Sequence, residues 1–301
     1  MSNLDISKSK RKLGASGIEV FPIAYGMWRF AGASVDQARA KIDAALEEEI
    51  TLFDTADIYG FGEEGFGAAE ELFGRVLTQS PELRAQMIIA TKGGITPPVP
   101  YDSTQAYLLK ACENSLKRMN IETIDLYLIH RPDVLAHPEE VAQALNKLVA
   151  EGKVRHVGVS NYTTAQFRAL SKYMEKPLVS HQSELSVLAP EPITNGLLDQ
   201  CMECQASPLA WSPLGGGRLF SDNSGAVQRV VAALELVASE QGATLDAVAY
   251  AWLLAHPAGV IPIIGTQNID RIKQTKNIFN VTIARSQWYD ILEAAVGYPM
   301  P

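Results

Sequence analysis

Cysteine is scarce in this sequence: three in 301 residues, an odd number that suits a reducing compartment better than a disulfide framework. Long apolar runs are missing as well. The longest uninterrupted one, Ala247 to Ala255, has nine residues and stops at His256 and Pro257, far short of the roughly 18 that a membrane span needs. The opening MSNLDISKSKRK lacks the apolar stretch of a secretory signal, so a cytoplasmic location is expected. Basic clusters are equally short. None exceeds Lys10, Arg11 and Lys12, and 26 Lys and Arg face 34 Asp and Glu for a net charge of −8. Binding along a phosphate backbone needs clustered cations, so neither nucleic acid nor membrane is an expected partner. No H-x-H or H-E-x-x-H spacing occurs, and no metal is expected.

The composition that remains, 47% hydrophobic and 20% charged, is ordinary globular usage and predicts a large core. Short apolar runs centre on Ile23, Leu52, Ile88, Leu126, Val157, Val179, Leu209 and Ile261. They stand 22 to 52 residues apart, the room that strand, crossover helix and loops require. Helical periodicity fills the gaps, over Val35 to Glu49, Ala68 to Leu77, Thr104 to Met119, Pro138 to Glu151 and Thr164 to Tyr173. Thr104 and Thr164 suit N-caps and Pro138 suits a first turn. Eight βα units without a linker or composition shift predict one domain over residues 1–301, an α/β fold of the (β/α)8 TIM barrel type. An N-terminal β-hairpin over Lys12 to Val20 precedes it. The gap before the last strand leaves room for a loop, Gly215 to Gly225, and two helices, with an extra helix at the C-terminus.

In such a barrel the residues after each run share one rim. They are polar here: Asp54, Asp57 and Tyr59, then Lys92, His130, Ser160 and Asn161, Gln182 and Glu184, Trp211 and Ser212. An ammonium beside a phenol favours its ionised form and makes it a proton donor and acceptor nearer neutral pH. Asp54 would hold Lys92 charged, and His130 would aim a substrate oxygen. That set suits carbonyl reduction, because the alkoxide formed by hydride addition needs a proton.

The blocks FDTADIYG, ATKGG, YLIHRPD, GKVRHVGVSN, WSPLGGGRL and IPIIGTQNIDRIKQ, in this order, resemble the aldo-keto reductase superfamily across essentially the whole chain, and most closely a bacterial YdhF-type subgroup of oxidoreductases. The resemblance implies an NADPH-dependent reduction of aldehydes or ketones to alcohols on a small carbonyl substrate. It implies Tyr59 as general acid, Lys92 and Asp54 as its tuning pair and His130 as the carbonyl-orienting residue. It implies cofactor contacts from Gly26, Met27, Trp28, Asp54, Ser160, Asn161, Gln182 and Trp211. Ser212, Leu214, Gly216, Gly217 and Arg218 would lie over the pyrophosphate, and Gly265, Thr266, Gln267 and Arg271 around the adenosine 2'-phosphate. Many members carry a Lys where this chain has Gly265. Trp28, Phe30, Ile95 and Tyr298 are expected to wall an apolar substrate pocket that favours a small, uncharged aldehyde or activated ketone, in a monomer or weak homo-oligomer.

Plainer roles exist for each residue taken singly. Asp54 with Lys92 makes a barrel ion pair, Tyr59 a loop tyrosine, Asp57 a cap or loop hydrogen-bonder, and Glu184 a strand-end carboxylate satisfied by backbone N–H groups. His137, His156, His181 and His256 read as caps and surface contacts. Gly60, Gly62 and Gly65 satisfy G-x-G-x-x-G, but Glu63 and Glu64 would face a dianion, so a substrate-side loop is expected instead. Gly158, Ser160 and Tyr162 lack the closing glycine of a G-x-S-x-G elbow. Cys201 and Cys204 fall within an acidic helix rather than at a helix start, which speaks against a redox pair. The competing functions are a cofactor-sensing regulatory module on the same barrel and a hydrolase or isomerase that uses no cofactor.

Overall fold

The computed structural model describes residues 3–300. A two-stranded hairpin, β1 (Arg11–Lys12) and β2 (Glu19–Val20), comes first. The alternating body follows as β3 (Ala24–Gly26), α1 (Val35–Glu47), β4 (Leu52–Asp54), α2 (Ala68–Gln79), β5 (Ile88–Gly93), α3 (Gln105–Met119), β6 (Ile124–Ile129) and α4 (Pro138–Ala150). It continues through β7 (Val154–Ser160), α5 (Thr164–Ser171), β8 (Ser180–Glu184), α6 (Glu191–Thr194), α7 (Leu197–Cys204), β9 (Ser207–Trp211), α8 (Arg218–Ser221), α9 (Gly225–Gln241) and α10 (Leu245–Leu254). β10 (Ile261–Ile264), α11 (Ile269–Lys273) and α12 (Arg285–Val296) end the chain.

Strands β3 to β10 pair in parallel and in sequence, and β10 pairs back onto β3 to close the barrel. The expected (β/α)8 barrel, hairpin and extra C-terminal helix are all present. Two side-chain layers result from the period-two alternation of strands. Leu52, Ala90, Leu126, Leu128, Leu209, Ile261 and Ile263 fill the interior, joined by Leu13 and Val20 of the hairpin. Phe53, Ile89, Tyr127 and Ile129 point the other way, into the core beneath the helices. The hairpin therefore plugs one end. Its Lys12 carbonyl accepts from Ser207 Oγ at 2.9 Å, and Arg11 bonds the carbonyls of Leu254 and Val260. Among the described residues no helix is long and apolar enough to cross a membrane.

The helix starts have local causes. Ser34 and Thr163 each form a capping box with a glutamine three residues on, and Thr104 caps through its hydroxyl. The cap expected at Thr164 thus belongs to Thr163, because Thr163 is the one spaced for Gln166. The expected Gly215–Gly225 loop contains a helical turn, α8, ahead of the two expected helices, α9 and α10.

Candidate active site

Counting alternate residues along each strand from the interior leucines leads to the rim. Leu52 faces inward, so Asp54 does; Ala90 faces inward, so Lys92 does; Leu126 and Leu128 carry the count to His130. The registers Lys92 with Leu128 with Gly158, and Ser160 with Gln182, extend the inner face to β7 and β8, and Leu209 extends it to Trp211. One rim thus collects Asp54, Lys92, His130, Ser160, Gln182 and Trp211 at the C-terminal ends of the strands.

Lys92 is wholly buried, and its ammonium uses each of its three protons: toward Asp54 Oδ2 at 2.7 Å, the Thr55 carbonyl at 2.8 Å and the Tyr59 hydroxyl at 3.1 Å. The turn after β4 brings Tyr59 over it. His130 meets the Tyr59 ring edge-on at 5.9 Å, and the exposed Trp28 lies against the same ring at 5.6 Å. Asn161, in the left-handed region at φ 59°, ties three strand ends together. Its Nδ2 donates to the His130 carbonyl at 3.1 Å and to Ser160 Oγ at 2.8 Å, and its Oδ1 accepts from Trp211 Nε1 at 3.0 Å.

Burial pulls the Lys92 ammonium down, but Asp54 and Tyr59 outweigh it and its pKa lies above the ordinary lysine value. Lys92 is therefore charged. Burial raises the Tyr59 phenol against the opposing pull of Lys92, and the net direction is up. The sequence expectation of a phenol drawn toward neutrality is corrected on this point: desolvation wins, and Tyr59 is a protonated donor at neutral pH. Burial, then Lys92 and Arg131, hold His130 well below the usual histidine range, so it is a neutral imidazole. Its Nδ1 is buried without a partner.

Beneath this set lies a second buried charge system. Glu70, on α2, accepts from Thr91 and from Arg118 Nε at 2.7 Å. Asp57 sits beside it with both carboxylate oxygens buried and unpartnered, and burial and Glu70 push its pKa well above the ordinary value. It is a buried side chain whose acid form burial favours, where a loop hydrogen-bonder or helix cap was expected. Glu184 likewise departs from expectation by reaching Arg218 at 4.0 Å rather than backbone N–H groups.

Several expected contacts need correction. Phe30 is fully buried, packing edge-on against Phe73 at 6.5 Å under the Lys41 ammonium, so it is core and no pocket wall. The tail after α12 turns back, Met300 N–H donating to Glu293 Oε1 at 2.7 Å, and Tyr298 stays exposed. Gly26 is buried, and its lack of Cβ is explained by Ile263, whose Cγ2 would lie 2.7 Å from one. Met27 is buried in the core. Of that run only Trp28 opens to solvent, while Ile95 is half-buried on the loop after β5.

Ser212, Gly216 and Gly217 all take positive φ on the loop after β9, and Leu214 packs against the core there. Gly265 has open space around it. Thr266 and Gln267 are engaged internally, the Thr266 carbonyl accepting from Tyr25 and the Gln267 amide from Lys41 Nζ at 2.9 Å. Arg271 lies exposed on α11. A cleft of about 640 Å³ opens between α1 and α11, lined by Asp36, Gln37, Lys41, Gln267, Asn268 and Asp270. Sequence reasoning missed Lys41, whose spacing from Ala38 and Ile42 sets it at the border of the buried face of α1. Arg131 was open to sequence reasoning only as one of three candidate cations, with Arg29 and Arg218, and the structure sets its guanidinium over the Trp211 ring at 5.8 Å.

Residues 22–295 match the Aldo/keto reductase family. A 6-dehydroglucose reductase of Novosphingobium aromaticivorans is 49% identical with all of both chains covered. Oxidoreductase YdhF of Escherichia coli is 36% identical over 96% of this chain and 98% of its own. A crystal structure of a thermostable aldo-keto reductase, Tm1743, with the inhibitor epalrestat superposes with a TM-score of 0.83 at 25% identity, covering 95% of this chain and 99% of that one.

Proposed function

This chain belongs to the aldo/keto reductase family and is an NAD(P)H-dependent oxidoreductase, and from that premise we propose that it reduces an aldehyde on a polyhydroxylated carbon chain to the primary alcohol, with NADPH as donor and Tyr59 as general acid. One observation carries the assignment of the acid. The Tyr59 oxygen accepts from Lys92, so its own proton is free to point at a substrate. Lys92 in turn is anchored by Asp54 and the Thr55 carbonyl, and the charge stabilises the phenolate left after proton transfer. A neutral His130 has one ring N–H to direct at the carbonyl oxygen.

A reduced nicotinamide bound here would supply the hydride. The residues present suit that group: Ser160, Asn161 and Gln182 offer hydroxyl and amide partners for a carboxamide beside the half-exposed Trp211 ring, and no Cβ fills the turn at Gly216 and Gly217. Lys41, with Thr266, Gln267 and Arg271, would receive the 2'-phosphate, supplying from α1 the cation that Gly265 lacks. The substrate class rests on the 49% identical relative named as a 6-dehydroglucose reductase and on the exposed Trp28 beside Tyr59, a flat apolar surface of the kind that sugar C–H faces pack upon.

The test is NADPH consumption with purified protein against 6-dehydroglucose, glyceraldehyde and nitrobenzaldehyde. The reading expects the highest kcat/KM on 6-dehydroglucose. Turnover that strongly favours nitrobenzaldehyde would remove the sugar assignment, and turnover of none of the three would remove the reductase.

A further inference from the structure

We propose that Arg131 gives this enzyme a second substrate class, short carbonyl compounds that carry a carboxylate a few carbons from the reacting group, with the guanidinium binding the carboxylate while Tyr59 and His130 hold the carbonyl. The inference rests on the reductase reading above and goes beyond its neutral sugar.

Arg131 follows directly on His130 at the end of β6, half-buried on the reaction side of the rim. Five other arginines are engaged by acids. Arg39, Arg84, Arg118, Arg155 and Arg218 each stand within 4.0 Å of a carboxylate. Arg131 instead rests on the Trp211 ring at 5.8 Å, a contact that consumes none of its N–H donors. The nearby acids are taken: Asp133 accepts from the Ser103 and Leu135 N–H groups, and Glu184 faces Arg218.

The charges around the reacting position leave Arg131 in surplus. Asp54 and Lys92 cancel at 2.7 Å, and His130 is neutral. In a chain of net charge −8, the mouth therefore presents a fixed cation. Its field reaches the site, since it adds to the downward pull on His130 and opposes the net rise of Tyr59. A guanidinium is planar, permanently charged and forked to match a carboxylate, and Trp211 and the Asn161 bridge hold the surrounding strand ends in place.

Chemically the step is unchanged. Hydride from the reduced nicotinamide forms the new C–H bond, the C=O π pair moves to oxygen, and Tyr59 delivers the proton; an oxo acid becomes a hydroxy acid and the nicotinamide is oxidised. What changes is recognition at the far end of the substrate.

Succinic semialdehyde and butanal differ by that carboxylate, so their kcat/KM ratio isolates it, and any general effect of Arg131 on Tyr59 cancels. The wild type is expected to favour succinic semialdehyde by about tenfold or more, the order of a charge-assisted hydrogen bond. Arg131→Met should cut the ratio at least about tenfold through KM for the acid, and Arg131→Lys should restore part of it. Added salt should lower the ratio for the wild type but not for Arg131→Met. A wild type active on butanal without preference for the acid overturns the inference alone. So does a ratio unmoved by Arg131→Met, or a loss confined to KM for NADPH. A protein inert toward both aldehydes overturns the reductase reading and the inference with it.

Discussion

Gln182 donates its side-chain amide to Oδ1 of Asp54 at 2.9 Å, while Lys92 holds Oδ2 of the same carboxylate at 2.7 Å. Asp54 is thus fixed from across the barrel, by a residue on β8 that the sequence suggested only as a cofactor contact. Gln182→Leu should loosen the carboxylate and, through it, Lys92. A kcat loss on the order of tenfold to a hundredfold is expected, with KM raised equally for NADPH and NADH because the carboxamide is common to both. Steady-state kinetics with each cofactor checks this, and an effect on one cofactor only would contradict it.

Tyr59→Phe should remove about a hundredfold to ten-thousandfold of carbonyl reduction, the usual share of a general acid, while NADPH affinity measured by Trp fluorescence quenching stays within a few-fold. Lys92→Met should lower turnover on a similar scale and move the alkaline limb of the pH–rate profile upward, because Lys92 opposes the rise of the Tyr59 pKa. A parallel collapse of NADPH binding in Tyr59→Phe would make that tyrosine structural.

For the 2'-phosphate, Lys41→Met and Arg271→Ala should each weaken NADPH binding about tenfold, the order of one charge-assisted contact, and leave NADH nearly as before. Fluorescence titration with the two cofactors separates them. Gly265→Lys, built into the open space at that position, should restore NADPH affinity to Lys41→Met. Equal losses for both cofactors would place Lys41 away from that phosphate.

Cys201 and Cys204 lie on α7, Cys201 buried with its thiol pushed up to about 12 by burial and Cys204 raised as well. Thiols so far above neutrality are poor nucleophiles. The double Ala variant should keep wild-type turnover with and without mild oxidant. An oxidant response present in the parent and absent from the variant would reverse this.

His181 is fully buried, stacks on Phe167 at 5.5 Å and has its pKa pushed down to about 4 by burial. An unfolded histidine titrates near 6.5, so between about 6.5 and 4 the unfolded chain binds the proton and the folded one does not. The stabilisation is whole above the unfolded value and is lost as pH falls toward the folded one, on the order of 3 kcal/mol. Urea unfolding at pH 7 and pH 5 should show the drop. His181→Gln should show a shallower one, whatever its packing cost, since that cost is the same at both pH values.

How far the sequence reached depended on the physics at each position. Asp54, Lys92 and His130 were legible because each ends an apolar run, and period two carries the count from interior leucines to the rim. β8 was harder. Its residues, SHQSE, are mostly polar on both faces, and the apolar marker at Val179 stops one residue before the strand begins. Phe30 was misjudged because the path of a loop is set by tertiary packing rather than by local pattern. Burial was the other hidden quantity. The unpartnered state of Asp57 and the net rise of Tyr59 both follow from desolvation, which no spacing reports.

The seam between β10 and β3 has a consequence for how the chain is made. β3 leaves the ribosome early and waits for Ile261–Ile264, more than two hundred residues later, before its second edge is covered. Until then the growing sheet has two open edges, and Gly26 and Asp54 lie near one of them. A nascent chain that ends before Ile261 thus leaves strand edges unpaired beside an unfinished candidate site.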